Sequence, residues 1–256
     1  MELLNLEEIH EYIAQAISRI EQHQLEILQN LEFEELLDVN PYYLTFFRIR
    51  EPISAGALLQ GLLQAFLSSS EEKLFGDFLE HLAVFIAGKT CGGHKSTAPG
   101  VDLEFIHNGI HYVVSIKSGP NWGNSSQQNR LEQDLKNAAM RVKQSKFGTN
   151  VQPVLGICYG KTKTSFLRGY LKVVGQNFWY LISENKDLYT DIIEPIGYRA
   201  KEHNEKFHQE RGALLNRFTK QFIERLCDDT YAIDWSKLVE FNSGNYDLDQ
   251  FLAEKV

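Results

Sequence analysis

The chain has 256 residues, 43% hydrophobic and 23% charged, an ordinary globular composition long enough for one large domain or a core with a helical extension. No apolar run approaches membrane-spanning length, and Glu2, Glu7 and Glu8 stand where a signal peptide would be basic and then apolar, so a cytoplasmic protein without membrane association is expected. A net charge of -8 argues against a uniformly basic nucleic-acid binder, and Cys91, Cys158 and Cys227, lacking any Cys-x-x-Cys pair, indicate neither a disulfide framework nor a zinc site.

Asn5 with Glu8 forms a helix-capping pair, and Ile9, Ile13, Ile17 and Ile20 follow at helical spacing, predicting a first helix to about Asn30. A short helical stretch over Leu31 to Leu37 is broken at Asn40-Pro41-Tyr42-Tyr43, and another helix is expected from Ser54 to Leu67. Ser69-Ser70-Glu71-Glu72 reads as a further capping box. The helix it opens has Leu74, Phe78, Leu82 and Phe85 on one face, with Asp77 and Glu80 elsewhere on its surface. Thr90 to Pro99 reads as a mobile loop.

Asn108-Gly109 lies between two alternating apolar runs, a strong hairpin signal because both residues tolerate the positive φ of a tight primed turn. Alternation turns Val101, Leu103 and Phe105 one way and Asp102 and Glu104 the other. On the second strand Tyr112, Val114 and Ile116 oppose Val113, Ser115 and Lys117. Two carboxylates and a lysine are thereby expected on one side. A solvated edge hairpin carries the same residue types. The turn-rich loop after Lys117, Ser-Gly-Pro-Asn-Trp-Gly-Asn-Ser-Ser, points instead to a site. His107 and His111, beside the turn, read as surface or DNA-proximal residues.

Ser125 or Ser126 is expected to cap a helix reaching about Lys146, with Leu131, Leu135, Ala139 and Val142 inward and basic residues outward. Val151 to Tyr159 reads as a buried strand, and Tyr170 to Val174 with Phe178 to Ile182 as a strand pair turned at Gly175-Gln176-Asn177. Beyond Gly197, Phe207, Leu214, Phe218, Phe222 and Leu226 recur at helical spacing, suiting a long helix that packs on the N-terminal helices or a second subunit. Charge is segregated. Residues 1–58 carry 3 Lys/Arg against 11 Asp/Glu, whereas residues 116–172 carry 10 Lys/Arg against 2 Asp/Glu, which suits a phosphate backbone drawn over the hairpin. Lys143 and Lys161 are the phosphate contacts expected from that segment.

Asp102 and Lys117, with Pro99-Gly100 before them, resemble the PD-(D/E)XK nuclease signature, although Ser115 stands where its second acid belongs. The wider order resembles type II restriction endonucleases over roughly residues 40 to 200: an Asn-Pro-Tyr turn, Ser-Ser-Glu-Glu-x-x-Phe-Gly-x-Phe-x-Glu, Gly-x-Asp-Leu-Glu-Phe and Ser-Ile-Lys-Ser-Gly-Pro-Asn-Trp-Gly-Asn-Ser. The resemblance implies an α/β (α+β) fold with a mixed β-sheet core flanked by helices, in α-β-β-β-α-β order. The expected organisation is a helical region over residues 1–68, a nuclease core over 69–198 and a helical region over 199–256 that offers a dimer contact.

The resemblance also implies a homodimer cutting both strands of a short palindromic site in double-stranded DNA with Mg²⁺, beside a cognate DNA methyltransferase that forms no stable complex with it. Asp102 and the Ile116 carbonyl would bind the metal, and Lys117 would orient water or stabilise developing charge. A hydroxyl is a weak ligand for a hard cation, so the charge missing at Ser115 falls first to Glu80 and second to Glu104. Asn121, Trp122, Asn124 and Ser125 would lie beside the DNA backbone or a groove, or else merely hold the turn. Two rival readings are a repair or structure-specific nuclease of the same fold, and a non-catalytic DNA-binding module that lost its acid at Ser115.

Overall fold

The structure is a computed structural model and describes residues 5–48, 54–145, 150–199, 204–244 and 248–253. In chain order the elements are α1 (Leu6–Asn30), α2 (Phe33–Leu36), α3 (Pro41–Arg48), α4 (Ala55–Cys91), β1 (His94–Lys95), β2 (Leu103–His107), β3 (Ile110–Lys117), α5 (Ser125–Ser145), β4 (Asn150–Ile157), β5 (Ser165–Leu167) and β6 (Tyr170–Val174). Then follow α6 (Gln176–Ser183), α7 (Leu188–Asp191), α8 (Ile193–Arg199), α9 (Asn204–Leu226), α10 (Trp235–Phe241) and α11 (Leu248–Ala253). They form two compact units: Met1–Ile20 with Glu72–Glu202, and Glu21–Glu71 with His203–Val256. The first twenty residues thus belong with the sheet, and the rest of the N-terminal region with the C-terminal segment. No described helix is long and apolar enough to cross a membrane.

The first unit is built on a six-stranded sheet ordered β1-β2-β3-β4-β6-β5. β1, β2 and β3 pair antiparallel, β4 lies parallel to β3, and β6 parallel to β4. The run α4-β1-β2-β3-α5-β4 has the α-β-β-β-α-β order, in a mixed sheet flanked by helices. One core holds Ile9, Ile13, Leu82, Ile86, Leu103, Phe105, Val114, Ile116 and Phe178, from α1, α4, β2, β3 and α6. A second core seats α5 through Leu131, Leu135, Ala139 and Val142 with Val113, Val151 and Leu155. β3 and β4 are therefore apolar on both faces, as parallel strands covered by helices must be. The other unit packs α2, α9, α10 and the first half of α4 around Phe33, Leu59, Leu63, Phe218 and Phe222.

The expected turn forms: Asn108 and Gly109 have φ of 49° and 75°, and His107 pairs with Ile110 across them. Several expectations fail for physical reasons. Ser69-Ser70-Glu71-Glu72 caps nothing, because α4 is continuous for 37 residues. Its buried positions Leu59, Leu63 and Leu67 resume at Phe78, Leu82 and Ile86 three turns later, so the polar tetrad is only a solvated stretch of one helix. The stretch expected over Leu31 to Leu37 ends as α2 before Asn40, but Asn40-Pro41-Tyr42-Tyr43 also starts a helix that was not expected: Pro41 opens α3, where its missing N–H costs nothing, and Asn40 caps it through Tyr42 and Tyr43 N–H.

Thr90 to Pro99 is not a mobile loop. Thr90 lies in the last turn of α4 with its hydroxyl on the Ile86 and Ile182 carbonyls, and His94–Lys95 forms the edge strand on β2. Phe178 to Ile182 is helix α6, not a strand: Phe178, Trp179 and Ile182 are buried at helical spacing, and β6 pairs instead with β5 across Arg168-Gly169. Val101 joins the α5-side core, apart from Leu103 and Phe105, because residues 101 and 102 precede β2 and escape its alternation. Lys146, the expected end of the α5 helix, lies outside the described residues.

Candidate active site

Asp102 stands just before β2, where its N–H donates to the Val114 carbonyl at 2.9 Å. Its Oδ2 accepts the Ile116 N–H at 2.6 Å and the Ser115 hydroxyl at 3.3 Å. A backbone N–H on a carboxylate is a charge-assisted bond, which fixes this side chain at the strand edge. Oδ1 accepts nothing from the described residues. Both backbone groups of a strand residue point to one side, so the Ile116 carbonyl projects toward that same edge. Ser115, 1% exposed, ties its hydroxyl to Asp102 and adds no charge.

Glu80, half-buried on α4, makes no hydrogen bond or ion pair with any described residue. Burial pushes its carboxyl above the ordinary value and the charge of Asp102 pushes it further, while Lys117, Lys95 and His81 oppose. One turn earlier on α4, a Cβ on Gly76 would lie 3.4 Å from Ser118 Oγ, so α4 passes beside the end of β3 that carries Lys117. The buried Cys158 thiol is likewise pushed up, by burial and then by Glu80. Lys117 ends β3 with its ammonium 5.8 Å from the Trp122 ring centroid and no ion pair among the described residues.

Glu104 is differently placed. It is 7% exposed, and its Oε1 accepts the Ser96 hydroxyl at 2.5 Å and Arg141 at 3.0 Å while its Oε2 meets His111 Nε2 at 3.0 Å. Burial pushes its carboxyl up, but the Ser96 and His111 bonds and the Arg141 charge outweigh that and hold it below the ordinary value. Both oxygens are thus engaged in a cluster joining the segment after β1 to β2, β3 and α5. His111, expected at the surface or near DNA, is 6% exposed within that cluster, and its Nδ1 is buried without a partner among the described residues. Nothing in the sequence marks Arg141, thirty-seven positions away, as the partner of Glu104.

Among the expected DNA-facing residues, Asn124 caps α5 in place of Ser125 or Ser126. Its Oδ1 accepts the Gln127 N–H at 3.1 Å, and Gln127 Oε1 accepts the Asn124 N–H at 2.9 Å, a reciprocal capping box. Trp122 is half-buried against the α5-side core, whereas Asn121, Ser125, Lys143 and Lys161 are exposed. No motif in the sequence marks Tyr159, 60% exposed beside the loop that follows Lys117.

Two carboxylates and a main-chain carbonyl make an all-oxygen donor set, which suits a hard cation that keeps several waters. No three His, Cys, Asp or Glu side chains cluster to hold a metal among the described residues, so such a cation would depend on Asp102 and Glu80 for charge. An ammonium beside two carboxylates at a strand edge suits phosphoryl chemistry.

No curated protein matches the chain. A family model, type II restriction endonuclease EcoO109I, matches residues 7–204, more than three quarters of the sequence and every residue of the site. The chain belongs to the type II restriction endonuclease EcoO109I family.

Proposed function

We propose that this chain is a Mg²⁺-dependent site-specific deoxyribonuclease that cuts both strands of a short palindromic DNA site. Family membership makes it a type II restriction endonuclease, with DNA as the substrate its family implies. The observation that carries the metal-dependent reading is Asp102, held through Oδ2 by the Ile116 N–H and the Ser115 hydroxyl with Oδ1 left open, together with the half-buried Glu80 carboxyl, which has no partner among the described residues. The charge of Asp102 disfavours that of Glu80, and a divalent cation between them would remove that penalty.

Asp102 through Oδ1, Glu80 and the Ile116 carbonyl are the groups that would hold Mg²⁺. When bound, it polarises the scissile phosphate and lowers the pKa of a coordinated water. Ser115 and the Ile116 N–H keep Asp102 in place by occupying Oδ2. Lys117, free of ion pairs among the described residues, directs its ammonium to the charge developing on the phosphate. Trp122 flanks that ammonium and restricts its positions. Glu104 keeps the hairpin fastened to α5 and takes no part in the chemistry.

A homodimer presents two such sites related by a twofold axis, matching a palindrome and its two strands. The chain works in the cytoplasm opposite a cognate DNA methyltransferase, with no stable complex between them. The second reading, a DNA-binding module without catalysis, draws on Ser115 at the position of an acid. Plasmid cleavage separates the two. Wild-type chain should linearise plasmid at discrete positions with Mg²⁺ and not with EDTA, and Asp102→Ala or Lys117→Ala should lower the rate at least ~100-fold, within the range for a lost charge-stabilising group. Wild-type binding without Mg²⁺-dependent cleavage would establish the module instead.

A further inference from the structure

β3 and β4 run parallel, so the loops leaving their C-terminal ends, residues 118–124 and 158–164, begin side by side. Two backbone bonds extend the pairing beyond the strands: Cys158 N–H to the Lys117 carbonyl at 2.9 Å and Tyr159 N–H to the Ser118 carbonyl at 3.1 Å. The Tyr159 ring then lies against Gly119 so closely that a Cβ there would stand 2.7 Å from its Cζ and its hydroxyl oxygen. Pro120 in turn covers Gly160, where a Cβ would be 3.2 Å from the proline Cγ. These approaches fix the ring over the backbone that follows Lys117.

Tyr159 is nevertheless 60% exposed, and its hydroxyl bonds to no described residue. A tyrosine immobilised on glycine with its donor unused presents that donor to something outside the chain. Lys161, Thr162, Lys163 and Thr164 follow, all exposed, and no Asp or Glu occurs between Cys158 and Lys172. Neither lysine is ion-paired among the described residues. Phenol, ammonium and hydroxyl groups on one loop without a carboxylate suit a ligand rich in acceptors and negative charge, such as a phosphate backbone.

We propose that Tyr159 is a substrate-positioning residue. Its hydroxyl donates to a phosphate of duplex DNA beside the Lys117 site, and Lys161 and Lys163 supply the accompanying charge. The β4–β5 loop is thereby one wall of the DNA channel and residues 118–124 the other. This inference rests on the nuclease reading for its ligand class, but its test needs no cleavage.

Binding of a fluorescein-labelled mixed-sequence duplex to the full chain is measured by anisotropy in EDTA over a salt series. Tyr159→Phe keeps the ring over Gly119 and removes only the hydroxyl. It should weaken binding by about tenfold or more, the scale of one hydrogen bond to a charged group, without changing the salt slope, because a neutral donor releases no counterion. Lys161→Ala and Lys163→Ala should weaken binding and reduce the slope by about 0.9 each. Unchanged melting temperatures would show that the fold is intact. Tyr159→Phe binding as tightly as wild type, or a wild-type chain that does not bind duplex, overturns the proposal. Normal plasmid cleavage by a Tyr159→Phe chain of unaltered affinity sinks this inference alone. The predicted affinity losses in a chain that never cuts would sink the nuclease reading and leave the DNA-contacting loop standing.

Discussion

Glu80 and Glu104 were candidates for the same metal, yet their surroundings push their carboxyls in opposite directions. For Glu80 the folded chain holds the proton more tightly than the unfolded chain does. As pH rises past the ordinary carboxylate value the unfolded state releases it first, and stability falls until the folded value is passed. Glu80→Gln should therefore raise the melting temperature near pH 7 in EDTA and change it little at pH 4. The same substitution should raise the Mg²⁺ concentration for half-maximal cleavage about tenfold, and an unmoved midpoint would remove Glu80 from the site. For Glu104 the sign reverses: its contribution is present above the ordinary value and lost as pH falls through the depressed one. Glu104→Gln should cost about 2 kcal/mol at neutral pH, less than the ~3–5 of a fully buried pair because the Arg141 side chain is 47% exposed, with the Mg²⁺ midpoint unchanged. Glu80 stands on α4 and Glu104 on β2, and neither the helical nor the strand period says which of the two carboxylates is engaged. What separates them is Arg141, on a helix the sequence does not register against the strand.

At the scale of elements, legibility followed how local the cause was. Asn108-Gly109 fixes its own turn, so the hairpin was readable from the residues alone, whereas Asp102, just before β2, escapes the alternation that was expected to set it beside Glu104. Phe178 to Ile182 is an apolar run too short to show its period, and only the core formed with Phe105 and Val114 makes it a helix. Ser69-Ser70-Glu71-Glu72 is a capping box wherever a helix begins and an ordinary polar face wherever one continues. Proline distinguishes the two states sharply. Were Ser69 an N-cap, Ser70 would be the first helical position, where proline is welcome; within continuous α4 the substitution removes a hydrogen bond and clashes with the preceding turn. Ser70→Pro should cost ~3 kcal/mol or more in chemical denaturation. A neutral effect would mean that α4 is two helices.

At the scale of the whole molecule, a chain of net charge -8 is expected to bind a polyanion, which the total charge opposes and its distribution permits. Of the ten basic and two acidic residues between 116 and 172, all but Lys146, which lies outside the described residues, fall on the end of β3, on α5 and on the β4–β6 segment, within the sheet-bearing unit. Phosphate contacts act over a Debye length of ~8 Å at physiological salt, so distant acids weaken binding little while each local cation adds its own counterion release. Lys143→Glu and Lys220→Glu make the same change in total charge, but Lys143 lies on α5 and Lys220 on α9 in the other unit. Lys143→Glu should weaken binding to every duplex alike and lower the salt slope by about 0.9 or more, with the order of preference among sequences kept. Lys220→Glu should change neither quantity appreciably. Equal losses in both variants would show that total charge governs association, and the basic segment would then have no claim to be the DNA-binding face.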